Sequence, residues 1–204
     1  MNFPSKRSWI VILAAFSLAY SNSALAYLSQ LSESDVRDAY FLGSDQDRSA
    51  NFLKQYSQSL PVPDTGPQIA LVDLRTPYAQ IVAATRDHIT GYSAQQAVAD
   101  YQSRGDTFQV HLQIMFTPTY TNRPADFWRG VSVGLVQKDH HAATSVSGQP
   151  IWANVQPNQS SWVIGADVYC TFPAAGITSD PVDVEVVPPE GPAVRATFDL
   201  TSLK

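Results

Sequence analysis

Near Gly105 the apolar residues of this chain change their spacing, and that change constrains the fold more than any other feature of the sequence. Before Gly105 they recur every three to four residues, the period of a helix with one buried stripe; after it they alternate, the period of a half-buried strand. In the stretch "SESDVRDAYFLG", Ser32 precedes Asp35 by three residues, which resembles a capping box, and Gly43 is expected as the C-cap. A second helix is predicted from Asp45 to about Ser59, with Phe52, Leu53, Tyr56 and Leu60 on one stripe. The breaker cluster Pro61–Pro67 follows, then a short strand in "QIALVDL". Thr76 before Pro77 starts a third helix, carrying Tyr78, Ile81, Val82 and Thr85 on one face. Ser93 caps a fourth, with Ala94, Ala97, Val98 and Tyr101 on one face, and Gly105 ends it.

From "TFQVHLQIMF" onward, Phe108, Val110, Leu112, Ile114 and Phe116 alternate with Gln109, His111, Gln113 and Met115. Further runs are expected at about 127–137, 151–156, 162–172, 181–187 and 194–200, the last two forming a terminal hairpin. Nine of the 14 prolines lie beyond Thr117, and apart from Pro181 they are expected between the runs, because proline cannot donate to an interior ladder. Short strands separated by turn signals indicate a sandwich or barrel. The fold class expected is therefore α+β, with a helical region over 27–105 and an antiparallel β-sandwich over 106–204. In outline the second part resembles an immunoglobulin-like sandwich as an architecture, without the cysteine pair of antibody domains. No glycine- or serine-rich linker separates Tyr101 from Phe108, so close packing of the two parts is expected.

Residues 1–26 read as a signal peptide. Lys6 and Arg7 precede the apolar run Trp9–Tyr20, and Ala24-Leu25-Ala26 presents the small-x-small pattern that signal peptidase cleaves. As a helix that run spans about 18 Å, too short for a hydrocarbon layer of about 30 Å. A secreted or periplasmic chain of 178 residues, cleaved after Ala26 and without a later membrane span, is expected. Cleavage removes two basic residues and no acid, leaving 11 Lys and Arg against 18 Asp and Glu, a net charge of −7. That balance argues against nucleic acid and anionic membrane as partners. One cysteine allows no internal disulfide, so the fold rests on packing.

"GVSVG", Gly130–Gly134, matches the nucleophile elbow of hydrolases, but the elbow needs a helix after the serine and "LVQKDHH" continues a strand. Ser132 is therefore read as a strand residue, with Trp152 expected to cover the flat face left by Gly134. Asp139, His140 and His141 could meet an ion only in a turn and lack further ligands, so a solvated loop running to Pro150 is expected. Asp45, Asp47 and Ser49 begin like a calcium loop, but Ala50 and Tyr56 stand where glycine and glutamate belong; the acids suit a helix N-terminus instead. Asp183 and Glu185 are read as the solvated side of a strand whose other face is Val182, Val184 and Val186. Trp162 is expected in the core with Ile164, Ala166, Val168, Cys170 and Phe172, which makes Cys170 a buried inert thiol. Asn158–Ser160 matches an N-glycan acceptor.

Trp128 and Trp152 alternate with small or polar residues and are the candidate ligand-binding residues, as outward indoles that could stack on a sugar; the plainer and preferred expectation is that the N-terminal helices cover this face and make both tryptophans an interior seam. No catalytic residue, metal or cofactor is expected. The function expected is a non-catalytic protein-interaction or structural module of the periplasm or cell exterior, its partner another exported protein. A module binding envelope polysaccharide through Trp128 and Trp152 is the alternative, and a secreted hydrolase at Ser132 or the histidines the last.

Overall fold

The computed structural model describes residues 27, 30–88, 90–153 and 161–204; the expected leader and the glycan acceptor lie outside them. Four helices form where the caps predict them. Helix α1 (Glu33–Ser44) opens on Ser32, whose hydroxyl accepts from the Asp35 N–H at 3.2 Å while the Asp35 carboxylate accepts from the Ser32 N–H at 3.0 Å, a complete capping box. It runs past Gly43 to Ser44, so Gly43 is not the expected C-cap. A side chain there would meet the Val82 carbonyl at 2.6 Å and Thr85 Cβ at 2.7 Å; the glycine lets α1 lie directly on α3 (Pro77–Asp87). Asp45 then caps α2 (Gln46–Leu53), accepting from the Arg48 N–H at 3.0 Å. This is the helix-terminus role expected of that acidic run.

The second helix is shorter than its spacing predicts. One 3₁₀ turn, Lys54–Tyr56, ends it, and the chain becomes strand β1 (Ser57–Ser59). Tertiary contacts override the helical period here. The buried Tyr56 hydroxyl donates to the Lys204 carbonyl at 2.9 Å, and the Ser57 hydroxyl donates to Asp73 at 2.6 Å. Thr76 caps α3 with Pro77 in its first turn, and Ser93 caps α4 (Ala94–Arg104), which Gly105 ends at a φ of 74°.

Two antiparallel sheets complete the chain. The first contains β1, β2 (Gln68–Arg75), β3 (Thr107–Met115), β6 (Ser145–Trp152) and β7 (Val163–Pro173), in the order β1-β2-β3-β7-β6. The second contains β4 (Ser132–Val136), β5 (His140–Ala142), β8 (Val182–Val187) and β9 (Val194–Phe198), in the order β5-β4-β8-β9. Strand β2 pairs with β3 from Gln68↔Met115 to Arg75↔Gln109, so the ladder crosses the point where the apolar period changes. Val72, Leu74, Phe108, Val110, Leu112 and Phe172 from one sheet share a hydrophobic cluster with Leu135, Val184, Val186 and Phe198 from the other. Each such side chain contributes about 1.5–3 kcal/mol on burial. A second cluster (Val36, Ala39, Ile81, Val82, Ala97, Tyr101) joins the helices, and Phe52 and Leu53 pack on both clusters. The architecture is mixed α+β, with β8 and β9 forming the expected terminal hairpin. Leu200 and Leu203, which follow that hairpin in the chain, are buried in the shared cluster.

Three local expectations change. The run from Phe127 opens as a 3₁₀ turn (Phe127–Gly130) before β4 begins. The polar stretch expected to be a loop up to Pro150 is most of β6, where Pro150 pairs with Ala166 inside the strand. A proline is tolerated there because β6 is the sheet edge and its other side needs no donor. The third change concerns Trp162, which is 56% exposed and outside the core.

Candidate functional site

Trp162 leaves the core because pairing of β6 with β7 shifts by one residue at its end. Ile151 is opposite Gly165, but Trp152 is opposite Val163, so Ile164 is an extra residue in β7. Such a bulge resets the alternation, and Trp162 no longer follows the face of Ala166 and Val168. The Ala153 N–H donates to the Trp162 carbonyl at 3.0 Å, holding the two indole-bearing segments together. Trp152, 48% exposed, and Trp162 thereby line one cleft of about 860 Å³ at the end of the five-stranded sheet.

The rest of that cleft comes from the end of β3 and the loop after it. Met115, Phe116 and Pro118 give apolar wall, and Thr121, Asn122 and Arg123 give polar groups. Phe116, Tyr120 and Phe127 form a mutual edge-to-face triad with centroids 4.8–6.1 Å apart, a rigid support for the loop. The Arg123 guanidinium lies 4.3 Å over the Tyr120 ring and its Nη2 donates to Glu190 at 2.7 Å, while its buried Nε has no partner. Asn122 has a φ of 55°, the sole positive value outside glycine among the described residues. Asparagine tolerates that left-handed backbone better than other side-chain-bearing residues, which suits it to the turn of this loop. Chemically, the cleft offers indole surface to a flat or pyrrolidine ring and donors to a carbonyl or hydroxyl.

Of the two tryptophans singled out from the sequence, Trp152 lines this cleft and Trp128 does not. Trp128 is half-buried in the 3₁₀ turn, its ring over Gly148 of β6: a side chain at Gly148 would meet Trp128 Cδ2 at 2.7 Å. Gly134 is covered by the imidazole of His140, not by Trp152 as expected. His140 sits two residues beyond the Gly134↔Ala142 pair on the same face of the β4–β5 hairpin, so a side chain nearby in sequence fills the gap first. Sequence reasoning missed Trp162, Asn122 and Arg123. The polar run just before Trp162 was the signal that it could fall outside the strand's register.

The remaining candidates stay apart. Ser132 is exposed in a strand that continues to Val136, with no elbow, and no histidine bonds a serine among the described residues. His140 and His141 point to opposite faces of β5, and among the described residues no three His, Cys, Asp or Glu side chains are placed to hold a metal. Asp183 accepts from the Thr197 hydroxyl at 2.6 Å and Glu185 from Arg195 at 2.8 and 3.1 Å, the solvated strand face expected of them. Burial pushes the Cys170 thiol up to about 11, so it is protonated and inert at neutral pH.

One polar cluster was not anticipated. On the outer face of the five-stranded sheet, His111 of β3 bridges Asp73 of β2 at 2.9 Å through Nδ1 and Asp167 of β7 at 3.0 Å through Nε2. The Tyr169 ring stacks on the imidazole with centroids 4.7 Å apart. Burial pushes the Asp73 carboxyl up, but hydrogen bonds from His111 and Ser57 and the charge of Arg75 outweigh it and hold the group below its usual range. Both ring nitrogens are committed to carboxylates, so His111 has none free to activate a nucleophile.

No protein-family model matches the chain, and neither the curated proteins nor the solved structures give a match.

Proposed function

We propose that this chain is an exported, non-catalytic interaction protein that holds a partner protein in the cleft between Trp152 and Trp162. The observation that carries the reading is the convergence of two half-exposed indoles on one cleft beside Arg123. Tryptophan and arginine are enriched where protein partners bury their binding energy, and large apolar side chains left in water mark such surfaces. The open edge of β6 runs into the same cleft and offers backbone groups to an extended segment, interrupted at Pro150. Export rests on the charged and apolar pattern of residues 1–26. Tyr27 follows the expected cleavage point and is already buried, 4.8 Å from the Phe108 ring between centroids. Two antiparallel sheets around a shared cluster are what an immunoglobulin-like reading of the β region draws on.

Cross-linking in the native host, followed by mass spectrometry of the purified protein, tests the reading. A mature N-terminus at Tyr27 and one protein recovered near one-to-one, lost in Trp162→Ala with an unchanged melting temperature, is the expected result. Recovery of bare protein would sink it. The paired indoles with Asn122 and Thr121 beside them also suit a polysaccharide, which stacks its sugar faces on tryptophan. Recovery of glycan in place of protein would favour that second reading.

A further inference from the structure

A second cleft lies at the other end of β2, between α2, α3 and the β1–β2 edge. It measures about 350 Å³, and Lys54, Ser57, Asp73, Arg75 and Arg86 are among its eight lining residues. Three of its eight lining residues are basic, in a chain with more acids than bases. Asp73 is the one acid among them, and its carboxylate is already engaged by Ser57 at 2.6 Å, by His111 at 2.9 Å and by Arg75 at 3.4 Å. Lys54 and Arg86 form no ion pair among the described residues, whereas Arg123 and Arg195 are each matched to a glutamate. Two positive charges thus remain uncompensated in one concave site, reaching it from different elements.

We propose that this cleft binds a doubly charged tetrahedral oxyanion, a phosphate group. A dianion matches the two unpaired cations, whereas a carboxylate would leave one of them over. Tetrahedral oxygens can be met at once by Lys54 at the end of α2, Arg86 in the last turn of α3 and Arg75 at the end of β2. Arginine presents a planar fork of donors suited to phosphate, and lysine supplies a point charge. The Asp73–His111–Asp167 bridge fixes the floor: by holding Asp73 it keeps Arg75 turned into the cleft. This site is separate from the tryptophan cleft, which β2 and β3 place at their opposite end.

Titration of the purified protein with inorganic phosphate, glycerol 1-phosphate or acetate at constant ionic strength tests the proposal, read by backbone amide shifts around Lys54 and Arg86 and by the melting temperature. Saturable shifts with inorganic phosphate, and an apparent affinity about tenfold weaker in Lys54→Gln/Arg86→Gln, are expected. Lys54 is exposed and Arg86 half-buried, neither side chain in an ion pair among the described residues, and the double variant should melt with the parent when no anion is added. Glycerol 1-phosphate binding as tightly as phosphate assigns the site to a phosphate carried on a larger molecule; binding of inorganic phosphate alone assigns it to the free ion. Acetate binding equally well, shifts that grow without saturating, or an unchanged affinity in the double variant would each overturn the proposal. Trp152→Ala and Trp162→Ala should leave all these readings unaltered, so failure here is separable from failure of the partner cleft.

Discussion

Both sheets carry polar side chains on their outer face, but they wire them differently. In the four-stranded sheet, Asp183 and Glu185 pair across one ladder with Thr197 and Arg195 at the surface. In the five-stranded sheet, Asp73, His111 and Asp167 link three strands, and Asp73 and His111 are under 10% exposed. The first arrangement has its cation in water and its carboxylates partly exposed, and contributes little. The second is withdrawn from water, so it holds register strongly while intact and costs much when one member is removed. The same alternation of apolar and polar residues therefore yields a solvated face in one sheet and a structural clamp in the other.

Glycine replacement is where this contrast should appear largest. A side chain at Gly165 would press into the backbone carbonyl of Ile114 on the neighbouring strand, which cannot move without breaking the β3–β7 ladder. Gly165→Ala should cost about 3 kcal/mol or prevent folding, by analogy with overpacked cores. At Gly134 in the other sheet the obstacle is the far end of the His140 ring, which can swing into solvent, so Gly134→Ala should cost less than about 1 kcal/mol. Urea unfolding of the two variants decides; equal losses would remove the distinction between the sheets.

The clamp itself comes next. His111→Leu strips a partner from both carboxylates, but Asp73 keeps Ser57 and Arg75, and Asp167 is open enough for water to replace the ring. A loss of about 2 kcal/mol is expected, that of an unsatisfied buried polar group and less than that of a broken buried ion pair. A midpoint equal to wild type would mean the bridge is ornamental.

Helix starts were legible in the sequence because each is written in two or three local residues: Ser32 with Asp35, Thr76 with Pro77, Ser93 alone. Strands β3 and β7 were legible because one face of each is fully buried, which forces alternation. Strand β1 was not, and β6 only from Ile151, where the expected run over 151–156 begins. Both are sheet edges with mostly exposed side chains, so no burial pattern marks them, and Pro150 argued for a loop. Half of the tryptophan cleft was readable as Trp152. Its other half depends on the one-residue shift at Ile164, which is set by pairing between strands and leaves no trace in either strand alone. The His111 bridge joins residues 38 and 56 positions apart, and spacing carries no information about such distances.

Acid should relax the clamp in a defined direction. The Asp73 carboxyl is held below its ordinary value of 3.8, so the stability it contributes is complete above that pH and is lost as pH falls through the lowered value. The stability gap between wild type and Asp73→Asn should then be widest near neutrality and narrow below about pH 4, measured by urea midpoints at each pH. A gap that stays constant down to pH 3 would show that the charge on Asp73 is not what the clamp uses.

The smallest effect belongs to the other sheet, and it is the control on which the comparison turns. Arg195 meets Glu185 with two hydrogen bonds that match the His111 network in length: 2.8 and 3.1 Å against 2.9 and 3.0 Å at His111. If bond length decided stability, Arg195→Gln would cost as much as His111→Leu. Its guanidinium is in water, however, and holding a long side chain in one rotamer offsets what the pair gains. Arg195→Gln should therefore leave the urea midpoint unresolved from wild type, with any residual difference vanishing in added salt. A loss matching that of His111→Leu would show that both outer faces stabilise their sheets by the same means, and that burial is not what separates them.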